Sequence, residues 1–440
     1  MGTENQHLFI LVLHITEVLL EPLILLVRES SVVNHCCPVG VRGIWRRICS
    51  IDIVHDNDMG ITPVERIFSR PEVLYKQFGG KIINHKGIAA RYSRSMIMVA
   101  DALEEHDNLE AFFSTPVVQL VKDGDGAIIG CVGQTQDGRF IKFNAKSVIL
   151  ATGAYENNPT MVRRFCPDIE NFDKKVYHRT GDGNILAIEA GGAMEPVAHS
   201  HVMHDFDAGL MWDEHAFLNL NMNGERFVSE EVDMAYISNV LRWQPGFVGE
   251  NMDADHRESG SLGWYCQIYD NDYMSYCDSP VPDFVMARYL KDEDPELHVG
   301  VFPELIDTFR ADTIEELAEK LGLPVETTVA SFNRYNELCE NGEDLDFGKN
   351  PAYLHKFTTA PFWGIRRHIR CSSITAGVLS DEYGRAVTET GEVIKGLYTV
   401  GNLGGQFYGA PDYPFFHPGL SLGHAVTFGF IAGEHAAQNL

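Results

Sequence analysis

"LYTVGNLGGQFYGAPDYPFFHPGLSLGHAVTFGFIAGEHAA", Leu397–Ala437, decides the reading of the fold. A short apolar run stops at Gly401, the loop Tyr413-Pro414-Phe415-Phe416-His417-Pro418-Gly419 follows, and a helix rich in small residues comes after it. A strand that stops at a glycine turn and leads to a helix start suits a dinucleotide. Glycine lets backbone approach the ligand, and the helix N-terminus offers free N–H groups and a positive dipole end. The same pattern recurs upstream. SVILATG, Ser147–Gly153, is a short apolar strand ending at glycine, as in a buried parallel sheet. TGDGNILAIEAGGA, Thr180–Ala193, starts a helix at a glycine turn, with Asp182 as the expected N-cap.

The rest of the composition narrows the class. With 440 residues, 45% hydrophobic and 22% charged, the chain has the makeup of a soluble globular protein of two or three domains. A net charge of −27 argues against nucleic acid or an anionic membrane surface as the main partner. The nine cysteines are scattered and form no C-x-x-C pair, which fits a reducing, cytoplasmic setting rather than a disulfide framework or a zinc site. His7–Val27 is apolar, but Glu17, Glu21 and Pro22 interrupt it, and the start MGTENQH lacks a basic region. Neither a membrane-spanning helix nor a signal peptide is expected.

Residues 1–50 show no clear period. From about residue 90 the pattern reads helix, strand, hairpin, strand, with turns at Asp123-Gly124 and Asp137-Gly138. Residues 206–355 carry more aromatic residues and acidic loops and read as an inserted domain. Within it, DTIEELAEKLGLPVETTVASFNRYNELCENGEDLDFG predicts two helices, and Thr313 with Glu316 forms a capping box for the first. The division is thus 1–89, an atypical N-terminal segment; 90–205, the first part of the ligand-binding domain; 206–355, the inserted domain; and 356–440, the second part.

SVILATGAYENN, TGDGNILAIEAGGAMEP and the stretch from Gly396 to Ala437, together with NMNGERFVSEE and the two-helix segment, resemble the FAD-dependent fumarate reductase, succinate dehydrogenase and 3-ketosteroid dehydrogenase superfamily. The resemblance covers roughly residues 90–440, in the family's order. It implies an α/β fold: a Rossmann-like flavin-binding domain interrupted by an α+β capping domain. It also implies FAD as cofactor. Ala151, Thr152 and Gly153, then Gly181, Asp182 and Gly183, correspond to elements that approach the dinucleotide. Gly401, Asn402, Gly404 and Gly405 lie where the family meets the ribityl and diphosphate. The start of the last helix, with Ser421 and Leu422, corresponds to the end that faces the flavin's pyrimidine edge. The family's opening strand, Gly-x-Gly-x-x-Gly and helix do not appear in residues 1–89. The N-terminal βαβ fingerprint is absent or scrambled, and the expectation is a mis-framed or defective N-terminus, a chain that starts inside a longer gene, or weakened FAD binding.

The substrate is read from what the site keeps. Fumarate-type members hold a dicarboxylate with arginines and histidines, because a carboxylate needs paired cations. By alignment the proton-donor arginine falls near Met234, with no Arg close by; the late loop APDYPFFHPG has no Arg, and Ser373 stands where a histidine belongs. The same loop is similar to the Tyr-Pro…Gly element of 3-ketosteroid dehydrogenases. Tyr413 corresponds to the tyrosine that polarises the ketone or moves a proton, and Gly419 to the backbone N–H that binds the carbonyl oxygen. His417 is a candidate proton relay, and Phe415 and Phe416 are candidate walls for a flat substrate. His201 or His204 matches the family's histidine near the flavin; His199 is a third of that cluster, without a metal-site pattern. Arg366, Arg367, His368 and Arg370 share a strand, so at most a pair faces any site. Arg226 and Glu230 are expected to pair within the capping domain.

These readings converge on FAD-dependent redox chemistry at a C=C or CH–CH bond next to a carbonyl, on a small hydrophobic substrate such as a steroid or polyphenol enone, with electrons from an unidentified donor or acceptor partner. A fumarate- or urocanate-type reductase using Arg366 and Arg370 is the alternative enzyme. A truncated, non-catalytic remnant is the alternative of another class.

Overall fold

The structure, a computed structural model, describes residues 7–15, 21–28, 109–174, 179–196, 198–203, 205–206, 215–232, 236–247, 263–277, 281–298, 301, 306–367, 369–413 and 420–439. The main sheet is built from β1 (His7–Ile15), β2 (Glu21–Arg28), β3 (Leu109–Phe113), β7 (Val148–Ala151), β17 (Arg385–Val387) and β18 (Val393–Thr399). Their order is β17-β18-β7-β1-β2-β3. β7 runs parallel to both β18 and β1 at its centre.

Strand β7 shows why SVILATG is apolar throughout. Val148 and Leu150 belong to a core shared with Leu186 and Ala187 of α2 (Asp182–Glu189). Ile149, facing the other way, packs with Tyr398, Ala432 and Ala436, the last two on α7 (Leu420–Gln438). With a helix on each face, neither side of the strand meets water, so polar alternation is not tolerated. A smaller antiparallel sheet, β4 (Val117–Lys122), β5 (Ile128–Gln134) and β6 (Phe140–Asn144), adds Leu120, Ile128, Cys131 and Phe143 to the first of these cores. Its turns fall at the expected Asp-Gly pairs.

A second sheet is ordered β11 (Leu218–Leu220), β12 (Tyr265–Tyr269), β14 (Phe362–Arg367), β13 (Thr308–Ala311), so it draws one strand from beyond the 206–355 stretch. Helices α5 (Ile314–Leu321) and α6 (Val325–Asn341) contribute Leu317, Leu321, Phe332 and Tyr335 to the core over it. Phe217 stacks on Tyr269 at 4.1 Å, and Trp363 lies parallel to Tyr269. Thr313 caps α5, its Oγ1 accepting the Glu316 N–H at 3.2 Å. Short strands link the two regions: β10 (Asp205–Phe206), β15 (Ile369–Cys371) and β8 (Asp173–Lys174) form one sheet, β9 (His201–Val202) and β16 (Ser373–Ile374) another. Helices α1 (Pro159–Phe165), α3 (Ile237–Leu241) and α4 (Asp283–Met286) are the remaining α-helices among the described residues.

Two expectations need correction. Residues 1–50, which show no period, supply β1 and β2. FILVL and LILLV are unbroken apolar runs, so they carry none of the period-2 alternation by which a strand is read. β2 returns antiparallel to β1, so these two strands do not form a βαβ crossover. Asp182 is not the N-cap of α2. Gly181 takes that position with φ +78°, and Asp182 is the first helical residue, where its charge suits the dipole. The helix expected after residue 90 lies outside the described residues. Among the described residues, no helix is long and apolar enough to cross a membrane.

A buried ionic cluster ties the inserted region together. Arg226 reaches Glu230 through Nε and Nη2 at 2.9 and 2.8 Å, and Asp344 through Nη1 and Nη2 at 2.9 and 2.8 Å. Lys349 Nζ lies 3.2 Å from Glu230 Oε2. Burial raises the Asp344 pKa, but hydrogen bonds from Arg226 and from the Lys349 and Phe347 N–H groups outweigh it and hold the carboxyl at about 2. Arg226→Ala leaves Asp344 without its cation and Glu230 with Lys349 alone, and should cost about 3–5 kcal/mol in denaturant unfolding. A depressed carboxylate stabilises the fold above its unfolded pKa. The Asp344 contribution should therefore be intact above the ordinary aspartate value of 3.8 and fade as pH falls through about 2. An unfolding series in the Asp344→Asn variant that keeps the same acid limb would refute this assignment.

Candidate functional site

Strand β7 ends in Thr152-Gly153, and the loop after it is sewn to the segment that precedes α2. Asn157 N–H donates to Arg179 O at 3.0 Å, and Asn158 Nδ2 donates to Thr180 O at 2.9 Å. Asn158 also caps α1, accepting the Met161 N–H at 3.1 Å. Contact between the two segments is so close that glycine is required. A Cβ on Gly183 would lie 2.1 Å from Thr152 Oγ1, and one on Gly181 would lie 2.6 Å from Met161 Sδ. Ala151, Thr152, Gly153, Gly181, Asp182 and Gly183 are thus brought together.

The second glycine stretch folds against the same region. Val400 N–H donates to Leu150 O at 3.0 Å, which fixes the end of β18 beside β7. Gly401–Leu403 forms one 3₁₀ turn, and Gly405 N–H then donates to Val378 O at 2.7 Å. Gln406 N–H donates to the buried Glu195 carboxylate at 2.7 Å. A cavity of about 200 Å³ opens beside Gly404 and Gly405, lined also by Thr399, Phe407, His424 and Phe428. Burial holds the His424 pKa down to about 4, and its ring stacks on Phe407 at 4.0 Å.

A continuous polar chain joins these pieces. Glu156 is buried, and its Oε1 accepts from Arg179 Nη1 at 2.9 Å. The same nitrogen donates to Ser373 Oγ at 2.7 Å. Asn402 Nδ2 donates to Ser373 Oγ at 2.7 Å, and Ser421 Oγ donates to Asn402 Oδ1 at 3.0 Å. Burial raises the Glu156 pKa, and Arg179 opposes that shift. Asn402 and Ser421 are residues the sequence singles out. Glu156 and Arg179 are residues it does not, although Arg179 stands directly before Thr180-Gly181-Asp182-Gly183. Leu422 sits exposed in the first turn of α7.

The remaining candidates divide. His199 is structural. Its Nε2 lies 2.7 Å from Glu195 O, which can only accept, so Nδ1 accepts from the Tyr155 hydroxyl. Burial lowers the pKa of His199, and the ring stacks on Phe165. His201 is buried on β9, antiparallel to the strand that carries Ser373, and burial lowers its pKa too. Its backbone N–H donates to Pro411 O at 3.1 Å. That contact brings Tyr413 alongside β9, where it is buried against Val202 and near Tyr408. His204, Met234, His368, Phe415, Phe416, His417 and Gly419 lie outside the described residues. Arg366 is bound to Asp307, with Nε at 2.9 Å from Oδ2, and the buried Arg367 donates to Gln267 Oε1 at 2.7 Å. Backbone pairing places Arg370 opposite Asp205 and Asp173. Arg226 and Glu230 pair as expected.

The residues present fit a dinucleotide. Among the described residues, Thr152 Oγ1 is a buried hydroxyl without a hydrogen-bond partner, beside the glycine turn at Gly181–Gly183. Residues 70–412 match the model of the FAD binding domain family. The chain is similar to the vinyl phenol reductase of Lactiplantibacillus plantarum, 30% identical over 365 residues, covering 75% of this chain and 68% of that protein. In fold it is similar to the open conformation of a flavocytochrome c3 fumarate reductase, with TM-score 0.58 and 22% identity over 81% of this chain and 56% of that one. It is likewise similar to the 3-ketosteroid delta1-dehydrogenase of Sterolibacterium denitrificans in complex with 1,4-androstadiene-3,17-dione, with TM-score 0.56 and 22% identity over 80% and 63%. The chain spans about half to two thirds of the length of curated relatives it matches.

Gly183→Ala should push the Thr152 loop away and cost about 1–3 kcal/mol. Thr152→Ala in the same chain should recover most of that loss, because the clashing hydroxyl is gone. Thermal melts of the single and double variants check this; strict additivity would mean the two residues do not share the contact.

Proposed function

This chain belongs to the FAD-dependent fumarate reductase and ketosteroid dehydrogenase superfamily, with FAD as its cofactor, and from that premise we propose that it reduces a carbon–carbon double bond conjugated to an oxygen-bearing group of a hydrophobic substrate. The cations a dicarboxylate needs carry the reading. Arg366 is held by Asp307, Arg367 by Gln267, and the loop from Ala410 to Gly419 contains no arginine. Dicarboxylate binding asks for paired cations free to face the ligand. The relative with 30% identity is a vinyl phenol reductase, and the ketosteroid dehydrogenase of similar fold was solved in complex with a fused-ring dienedione; a vinyl phenol and that dione both carry an oxygen conjugated to a carbon–carbon double bond.

Thr152, Gly153, Gly181, Asp182 and Gly183 hold the dinucleotide on one side, and Gly401, Asn402, Gly404 and Gly405 on the other. The first turn of α7, with Ser421 and Leu422, supplies free N–H groups and a positive dipole end. Bound FAD supplies hydride exchange with one of the two carbons. Tyr413 is assigned the proton at the other carbon. Its burial against Val202 and Tyr408 keeps water from its hydroxyl. From the resemblance alone, Gly419 is assigned the backbone N–H for the substrate oxygen and His417 the outward proton relay. Electrons reach the site from a separate donor.

With a chemically reduced carrier as donor, purified holoprotein should turn over 4-vinylphenol or a steroid enone faster than fumarate. The reverse order would overturn the pocket argument. Tyr413→Phe should lower kcat by roughly 10²–10⁴-fold with flavin content unchanged. Loss of flavin from that variant would instead mark Tyr413 as a packing residue.

A further inference from the structure

Arg179 is bound in an unusual, one-sided way. Its hydrogen bonds to Glu156 Oε1, to Ser373 Oγ and, at 3.4 Å, to Ser372 O all leave from Nη1. Among the described residues, Nε and Nη2 make none. The side chain is 15% exposed and Glu156 is 0% exposed, so Glu156 is sealed while Arg179 keeps partial access to solvent. Glu156 Oε2 is a second buried atom there without a partner. The guanidinium lies over the backbone of Gly153: a Cβ there would be 3.6 Å from Arg179 Cδ and 3.8 Å from Nε. Nothing wider than glycine would leave the same space between the cation and the end of β7. Behind Arg179, the Ser373–Asn402–Ser421 chain fixes the orientation as far as the first turn of α7.

Resting on the reading above, we propose that Arg179 is a specificity-determining residue: its free Nε and Nη2 edge receives a single phenolic or enolic oxygen of the substrate. The charge arithmetic selects that class. Glu156 cancels most of the Arg179 charge, so the site offers directed N–H donors with little net positive field. A single oxygen, neutral or singly charged, is satisfied by two such donors. A dicarboxylate brings two negative charges toward a buried carboxylate and gains one compensated cation. Arg is also suited to this task because its donors form a planar fork that Ser373 and Glu156 pre-orient.

The test uses the oxidised, FAD-loaded protein and 4-cyanophenol as probe, with 4-cyanotoluene as the analogue that lacks the hydroxyl. Calorimetric affinities are measured below and above the phenol's own pKa, alongside flavin content and melting temperature. Arg179→Gln should weaken the phenol about tenfold to a hundredfold, the size of a lost charge-assisted hydrogen bond, and leave 4-cyanotoluene unchanged. Glu156→Gln should act in the opposite direction, tightening the phenolate several-fold, because it removes the opposing charge and keeps the cation. Opposite signs are a result that a purely structural ion pair does not give. The proposal is overturned if both variants shift affinity the same way, if Arg179→Gln releases FAD at unchanged stability, which would assign the cation to the cofactor, or if the wild-type protein binds neither form of the phenol. Binding that follows this pattern without turnover of 4-vinylphenol would overturn the proposed reaction and leave the Arg179 assignment standing.

Discussion

A carboxylate sealed away from water sets the terms for the site. Glu156 sits in the loop that follows the central strand β7 and has no solvent exposure. An isolated buried charge costs several kcal/mol, so it demands a cation within hydrogen-bonding range. Arg179 supplies it, and in doing so fixes the segment that leads into α2. That segment then lies close enough to β7 for Thr152 and Gly183 to touch. Ser373 completes the coordination of Arg179 Nη1, and through Asn402 it sets the loop that follows β18. Four stretches far apart in sequence thus meet around one ion pair. The glycine turns give each of them the conformational freedom to arrive, but the ion pair decides where they meet.

The inserted region holds a comparable ionic cluster with a different outcome. Arg226 uses Nε, Nη1 and Nη2, with two carboxylates arranged around it. Its side chain is 7% exposed, and an aromatic ring, that of Tyr335, lies 5.3 Å from it. That guanidinium is saturated and serves as a staple between the β11 turn and the loop after α6. Among the described residues, Arg179 has one nitrogen engaged and two that make no hydrogen bond. The contrast separates a cation whose donors are all taken by carboxylates from one that keeps donors in reserve.

How far the sequence reveals this depends on the range of the interactions. The strand Val148–Ala151 is legible because both of its faces are buried, and apolar runs bounded by glycine report that directly. The Thr313 cap and the two Asp-Gly turns are legible because cap and turn chemistry act over a few residues. β1 and β2 are illegible by alternation, since their apolar runs are unbroken. The N-cap at Gly181 is hidden because Asp182 is the better side-chain cap, yet the positive φ needed to enter α2 favours glycine. Arg179 and Ser373 are 194 residues apart, and Glu156 is 23 residues from Arg179. No periodicity or motif carries such a pairing. The nearest sequence signal is a basic residue directly before a glycine-rich turn, which fits many solvated loops equally well.

That difference in range also explains why the sequence speaks about what the site lacks more clearly than about what it has. Missing arginines at aligned positions are visible one residue at a time. A replacement cation from another part of the chain is visible only once the fold has closed. Arg366 looks available in the sequence because GIRRHIR offers a run of basic residues. In the fold, β14 pairs with β13, and the Arg366 N–H itself donates to Asp307 O at 3.1 Å, so its side chain meets the Asp307 carboxylate at once. Local charge density along the chain therefore overstates the cations a ligand can use. Counting only the guanidinium edges left without a hydrogen bond after the buried carboxylates have taken their partners leaves, among the described residues, Arg179 beside the glycine turns, its charge mostly cancelled by Glu156. That charge balance is the ground on which one conjugated oxygen is proposed over a pair of carboxylates.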